Sequence, residues 1–311
     1  MADLAPPPVG IPEAATADHL VQFGSEAEPQ WRRVARRFVR HRLALASLTV
    51  LLVLIGMSFL GSVVTQYGYA DQTNDLSAPP SAKHWFGTNA IGNDTFTQVL
   101  RGAKRSLIVG FLVAALSTSF GTVIGALAGY YRGVVDMVLM RFTDLFLTIP
   151  ILAVLLVAAS RYRGESGNWL ALSFVIAALA WMSLARVVRG MFLSLREREY
   201  VDAARALGAS DARIILRHLV PNALGPIIVN ATLLVGVAII TETALSFLGF
   251  GIAPPDTSLG KLVAEGAPAA RTRWWLFYLP GLYLLLISLC INFVGDGLRD
   301  ALDPRDTRVR A

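Results

Sequence analysis

Five stretches of this chain, at 43–64, 106–131, 168–185, 219–241 and 274–295, contain no Lys, Arg, Asp or Glu. Each approaches or exceeds the roughly 20 residues that a helix needs to cross the hydrocarbon of a bilayer. A sixth stretch, 137–160, carries Arg141 and Asp144 near one end and is uncharged from Leu145 to Ser160. The expectation is an all-α polytopic membrane protein of six transmembrane helices, at about 43–65, 106–131, 137–160, 168–188, 222–248 and 274–296. Composition agrees, because 54% hydrophobic against 16% charged residues and a mean hydropathy of +0.54 lie outside the range of an ordinary soluble domain.

The distribution of basic residues sets the orientation, since Lys and Arg resist translocation. With the N-terminus inside, 19 of the 28 Lys and Arg fall on the cytosolic side and nine outside. Both termini are then cytosolic, and so is the long loop 197–221. Residues 1–30 hold no Lys or Arg and several Pro and Ala, which predicts a disordered cytosolic tail. They lack the basic start and short apolar core of a signal peptide. The body of the protein is expected over 31–300, with a second cytosolic tail at 301–311. The Arg-rich run 31–42 suits a juxtamembrane contact with anionic lipid better than a nucleic-acid site.

The loop 197–221 is polar but helix-forming. Glu197 to Leu207 is rich in helix formers, Gly208 can supply a left-handed helix end, and Ser210 with Asp211 can cap a second helix running to Leu219, closed by Pro221. Two short helices hinged at a glycine form a lever that a soluble partner could grip. Asp202-Ala203-Ala204, then Gly208 and Pro221, resemble the cytoplasmic EAA loop of permease subunits in bacterial ABC importers, with Asp202 where the broad pattern has Glu.

Further stretches extend the resemblance over roughly 31–305 and narrow it to the C-type permeases of the oligopeptide, dipeptide and nickel importers. They are His84-Trp85-Phe86-Gly87-Thr88-Asn89 continuing to Ser106-Leu107, Glu242 to Gly251 with Pro254-Pro255, and the terminal Asn292 to Pro304. Asn89 and Asn93 stand where Asp and Arg are usual. The resemblance implies a type I importer permease of the MetI-like fold in the bacterial cytoplasmic membrane. Its partners would be a homologous second permease, two ATPase subunits holding ATP and Mg, and an external solute-binding protein. The ATPase-docking residues it implies are Asp202, Ala203, Ala204, Leu207, Gly208, Ile215 and Pro221. Peptides are the implied cargo, with nickel or another small solute as the alternative.

Several chemistries are excluded at this level. The only Gly-Lys pair, Gly260-Lys261, has Pro255 and Leu262 where a phosphate loop needs Gly and Ser or Thr. No nucleophile elbow or zinc-protease motif occurs, so the chain is expected to be non-catalytic and to carry no cofactor or metal of its own. The single cysteine, Cys290, forbids an intrachain disulfide, and His19, His41, His84 and His218 are too scattered for one metal site. A secondary transporter would be expected to show paired repeats with broken helices at a midplane site.

Charged residues within spans are expensive and face protein or water. Glu242, flanked by Thr241 and Ser246, is either part of a polar stripe lining a substrate path or a carboxylate paired with a cation or hydroxyl at an interface. Asp144, three residues from Arg141, suggests a local ion pair. Gly121, Gly125 and Gly129 share one helix face and predict close helix packing, and Pro150 and Pro226 are expected to bend their helices.

Overall fold

The computed structural model describes residues 30–302 except 163 and 166. The expected tails therefore lie outside it, apart from Gln30, Ala301 and Leu302, which are helical. The chain begins with α1 (Gln30–Arg40), α2 (Arg42–Phe59) and the one-turn α3 (Gly61–Val64). After an irregular segment come α4 (Thr95–Tyr131), α5 (Gly133–Thr148), α6 (Ile151–Ser160), α7 (Trp169–Ala180) and α8 (Met182–Leu195). The loop region contributes α9 (Glu199–Ala206), α10 (Asp211–Ile214) and a π-helical turn (Ile215–Leu219). The remainder is α11 (Val220–Phe247), α12 (Leu259–Gly266), a 3₁₀ turn (Ala267–Ala269) and α13 (Trp275–Leu302). Among the described residues the only β-pairing is an isolated bridge between Thr88 and Asp94.

Four helical runs are long and apolar enough to span: α2, α4, the continuous run Asp211–Phe247 and α13. Two further pairs are broken, α5 with α6 at 81° and α7 with α8 at 42°, giving six spans if each pair counts as one. The sharper break falls at Pro150. The ring forces the preceding Ile149 out of the helical region, to φ −84° and ψ 136°. Pro226 behaves differently: α11 runs through it without interruption, and the Asn230 side-chain amide donates to its carbonyl at 2.8 Å.

α4 starts eleven residues before the uncharged stretch that betrays it. Asp94 caps it, its carboxylate accepting the Thr97 N–H at 2.9 Å. The added turns carry Arg101, Lys104 and Arg105, and each finds a partner. Arg105 pairs with Asp256 at 2.5 Å and lies 4.3 Å from the Trp169 ring centroid, Arg101 sits over Tyr69 at 4.1 Å, and Lys104 over Phe59 at 5.3 Å.

The glycine face of α4 lies against α8. A Cβ on Gly125 would stand 2.4 Å from the Ala185 carbonyl oxygen, one on Gly121 2.7 Å from that of Trp181, and one on Gly129 2.6 Å from the Phe192 Cβ. Only residues without a side chain permit this approach. The local Arg141–Asp144 pair does not form as expected. Asp144 instead meets Arg186 of the facing α8 at 2.5 Å, because the packing of α5 on α8 offers a nearer cation than its own helix does. A second bridge, Arg189 to Asp136, joins the same two helices with both carboxylate oxygens engaged. Cys290 is buried in α13, within the largest apolar cluster.

Candidate functional site

The loop 197–221 is built around one residue of positive φ. Gly208 has φ +79°. The Ala209 N–H reaches back to the Ala204 carbonyl at 3.0 Å and the Gly208 N–H to that of Arg205 at 2.9 Å. These two bonds form the paired closure that ends a helix on a left-handed glycine. A Cβ on Gly208 would meet nothing within 4 Å, so the glycine is demanded by backbone conformation and not by space.

The second half of the loop departs from expectation. Ser210 occupies the N-cap position of α10, yet its side chain makes no capping bond. Asp211 is turned to another use: the Tyr130 hydroxyl, from the end of α4, donates to its carboxylate at 2.6 Å. Nor does Pro221 close a separate helix. The π-helical turn leads directly into α11, so Pro221, the second residue of α11, lies inside the continuous run Asp211–Phe247, immediately after the π turn.

Tyr130 is the hub of this region. Arg196 donates to its carbonyl, and the guanidinium groups of Arg196 and Arg205 both lie 5.8 Å from its ring centroid. The interaction with Tyr130 holds the Arg205 guanidinium above its ordinary pKa. Arg132, two residues on, pairs with Glu197 at 3.0 Å. The loop is thus fastened to α4 by side chains that sequence spacing could not connect.

The implied docking residues divide into two sets. Asp202, Ala203, Leu207, Gly208 and Pro221 are exposed. Ala204 and Ile215 are half-buried and pack on the subunit's own cluster of Val201, Ile214, Leu219 and Phe192. Ala204 therefore contributes to the loop's own fold while staying partly accessible. The most exposed large apolar residues of the loop are Leu207, 89% accessible, and Leu216, 69% accessible, with Tyr200 less so at 40%. Sequence reasoning missed Leu216 because the π turn, which sets its direction, has no residue signature.

At the far end of α11, Glu242 is fully buried. Its Oε1 accepts from the hydroxyls of Ser246 and Ser258, both at 2.7 Å, while Oε2 is enclosed without a hydrogen-bonding partner. Glu242 and Ser246 share a face one turn apart. Thr241 lies about 100° around the helix, half-exposed, its hydroxyl bonded to the Val237 carbonyl. The three residues expected to line one path therefore do not share a surface, and Glu242 pairs with hydroxyls inside this subunit. Among the described residues, no group of three or more His, Cys, Asp or Glu converges as metal ligands would.

The comparisons with known proteins follow the same lines. Residues 121–308 match the model described as binding-protein-dependent transport system inner membrane component, and residues 29–80 that of the N-terminal transmembrane domain of oligopeptide transport permease C. The oligopeptide transport system permease protein OppC of Mycobacterium tuberculosis is 45% identical over 89% of this chain and 95% of its own length. The OppC protein of Haemophilus influenzae is 38% identical over 93% of each. Among solved structures, an inward-facing MetNI methionine ABC transporter chain shares the fold at TM-score 0.51 and 18% identity, covering 67% of this chain and 98% of that one. With its family model spanning the helices from Gly121 onward and relatives aligned along nearly its whole length, this chain belongs to the inner membrane components of binding-protein-dependent transport systems.

Proposed function

We propose that this chain is a permease subunit of an ATP-driven importer that carries peptides across the bacterial cytoplasmic membrane. It pairs with a homologous permease, two ATPase subunits holding ATP and Mg dock on loop 197–221, and an external solute-binding protein delivers the cargo. N- and C-termini are cytosolic. The observation that carries the reading is the hinge at Gly208 with Leu207 exposed next to it and Leu216 exposed on the following π turn, in a chain whose similar relatives are oligopeptide permeases. Two apolar side chains presented from a polar, well-braced loop suit a groove on a soluble partner. Closure of the ATPase pair would draw the two docking loops together and exchange the inward-facing state for an outward-facing one. Asp202, Ala203, Leu207 and Gly208 would touch the ATPase. Pro221, exposed as well, would border that contact, and Ala204 and Ile215, partly accessible, would hold the shape that presents it.

The test is reconstitution. Proteoliposomes holding both permeases and both ATPase subunits should take up a labelled peptide with its binding protein and ATP. Omission of the ATPase subunits should abolish uptake, and the purified chain alone should hydrolyse no ATP. Robust ATP turnover by the pure chain, or uptake without ATPase subunits, would overturn the assignment.

A further inference from the structure

Glu242 sits where an apolar residue would be the inexpensive choice, and its surroundings explain what it does. The helical run Asp211–Phe247 is continuous over 37 residues, about 55 Å at 1.5 Å per residue. Its inner end carries the Asp211 bond to Tyr130, and its outer end carries Glu242. The partner of Glu242 across space is Ser258, the N-cap of α12. That hydroxyl accepts the Lys261 N–H at 3.1 Å and at the same time donates to Glu242 Oε1 at 2.7 Å. The next residue, Leu259, gives its N–H to the Ser106 hydroxyl of α4 at 3.1 Å. Glycines bring the backbones together: a Cβ on Gly260 would stand 2.6 Å from the Thr243 Cα, and one on Gly102 3.0 Å from the Ser258 carbonyl carbon.

We infer that Glu242 is a positioning residue that clamps the start of α12 to the outer end of the long Asp211–Phe247 helix, so that displacement at the docking loop is delivered to the extracytoplasmic side. Having no exposure, Glu242 touches no cargo. Its contribution is directional: one carboxylate oxygen fixes two hydroxyls, one on its own helix and one on the next element, adding to the Leu259–Ser106 bond a polar tie between α12 and α11. The enclosed loop between them is held from other sides as well, by Asn168 of the α7 N-cap, which bonds the Gly251 carbonyl and the Ala253 N–H, and by Arg105 on Asp256. Glu242 is the attachment that belongs to the helix leading to the docking loop.

This inference rests on the coupling role proposed for loop 197–221, and the experiment separates the two. In the reconstituted transporter, peptide uptake per ATP hydrolysed is measured for Glu242→Ala, Ser258→Ala, their combination and Glu242→Gln, at matched membrane levels. Both alanine variants should still copurify with the ATPase subunits and hydrolyse ATP, while uptake per ATP falls about tenfold, the order expected for losing a buried hydrogen bond. The double variant should lose clearly less than the product of the two single losses, because both remove the Glu242–Ser258 bond, although Glu242→Ala also frees Ser246 and Ser258→Ala also uncaps α12. Glu242→Gln retains Oε1 and should keep most of the uptake. If Glu242→Ala fails to reach the membrane, Ser258→Ala and Glu242→Gln carry the comparison. Wild-type uptake per ATP in Ser258→Ala, or losses that multiply in the double variant, would overturn the clamp. Loss of ATPase copurification in these variants would place the defect at the docking end and overturn it equally. A failed docking loop, by contrast, would appear as normal uptake in Gly208 variants with the clamp result unchanged.

Discussion

The hydroxyl of Tyr130, the penultimate residue of α4, lies 2.6 Å from a carboxylate oxygen of Asp211, the first residue of the helical run that crosses back through the membrane. The bond joins the ends of two helical runs on the side of loop 197–221 and helps to fix that loop. Tyr130→Phe removes it while leaving the ring in its apolar surroundings. The expected result is a loss of about 1 kcal/mol in stability, the usual net worth of such a bond. Uptake should fall severalfold while insertion is kept. Thermal unfolding of the purified subunit and transport in proteoliposomes would measure both, and a variant indistinguishable from wild type would remove Tyr130 from the coupling region.

Gly208→Val should insert normally and abolish uptake, since a β-branched residue at φ +79° is strained by roughly 1–2 kcal/mol and the helix end would reorganise. Gly208→Asn, which tolerates that conformation, should retain much of the activity.

Leu207→Asp and Ala204→Asp should separate docking from folding. Leu207 is exposed, so Asp there is expected to leave the melting temperature unchanged and to weaken ATPase copurification. Ala204 packs on the loop's own core, and burying an unpaired polar group there costs about 1–3 kcal/mol. Its variant should lower the melting temperature before any partner is added. Equal melting temperatures for the two would contradict the division of the loop into an outward and an inward face.

Ser210→Cys in a Cys290→Ser background places the only thiol on an exposed loop position. A membrane-impermeant maleimide should label it in inside-out vesicles and not in intact cells. Labelling from outside would reverse the proposed orientation.

Gly125→Leu should destabilise the subunit by about 1–3 kcal/mol or prevent its assembly, because the added side chain would have to enter the backbone of α8. Gly133→Ala, at a glycine with open space around it, is a useful contrast: any loss there reflects its φ of +55° alone.

What the sequence made legible follows the range of the forces involved. Uncharged runs reveal spans because the bilayer acts on every residue in turn, and Pro150 marks a break because its ring constrains Ile149 directly. The glycines at 121, 125 and 129 declare a packing face for the same local reason. The start of α4 was hidden because Arg101, Lys104 and Arg105 end the apolar run, although their partners Tyr69, Phe59 and Asp256 come from distant segments. Asp144 was assigned to Arg141 by spacing and belongs to Arg186 by packing. Around Glu242, Ser246 was within reach of a helical count, whereas Ser258 becomes a neighbour only when the loop after α11 folds back. In the loop 197–221, Gly208 was readable from its type, but the packing of Ala204 and the bond from Tyr130 depend on where α4 ends.

The three glycine notches of α4 have a mechanical meaning for the transport cycle. They recur every four residues, an axial repeat of about 6 Å, and each receives backbone of α8 so closely that any smaller slip would drive side chains into carbonyl groups. Like the teeth of a rack, they leave no intermediate stops. α4 and α8 are therefore expected to move as one body, and because α8 leads directly into the loop 197–221, the coupling proposed for that loop would reach both helices at once.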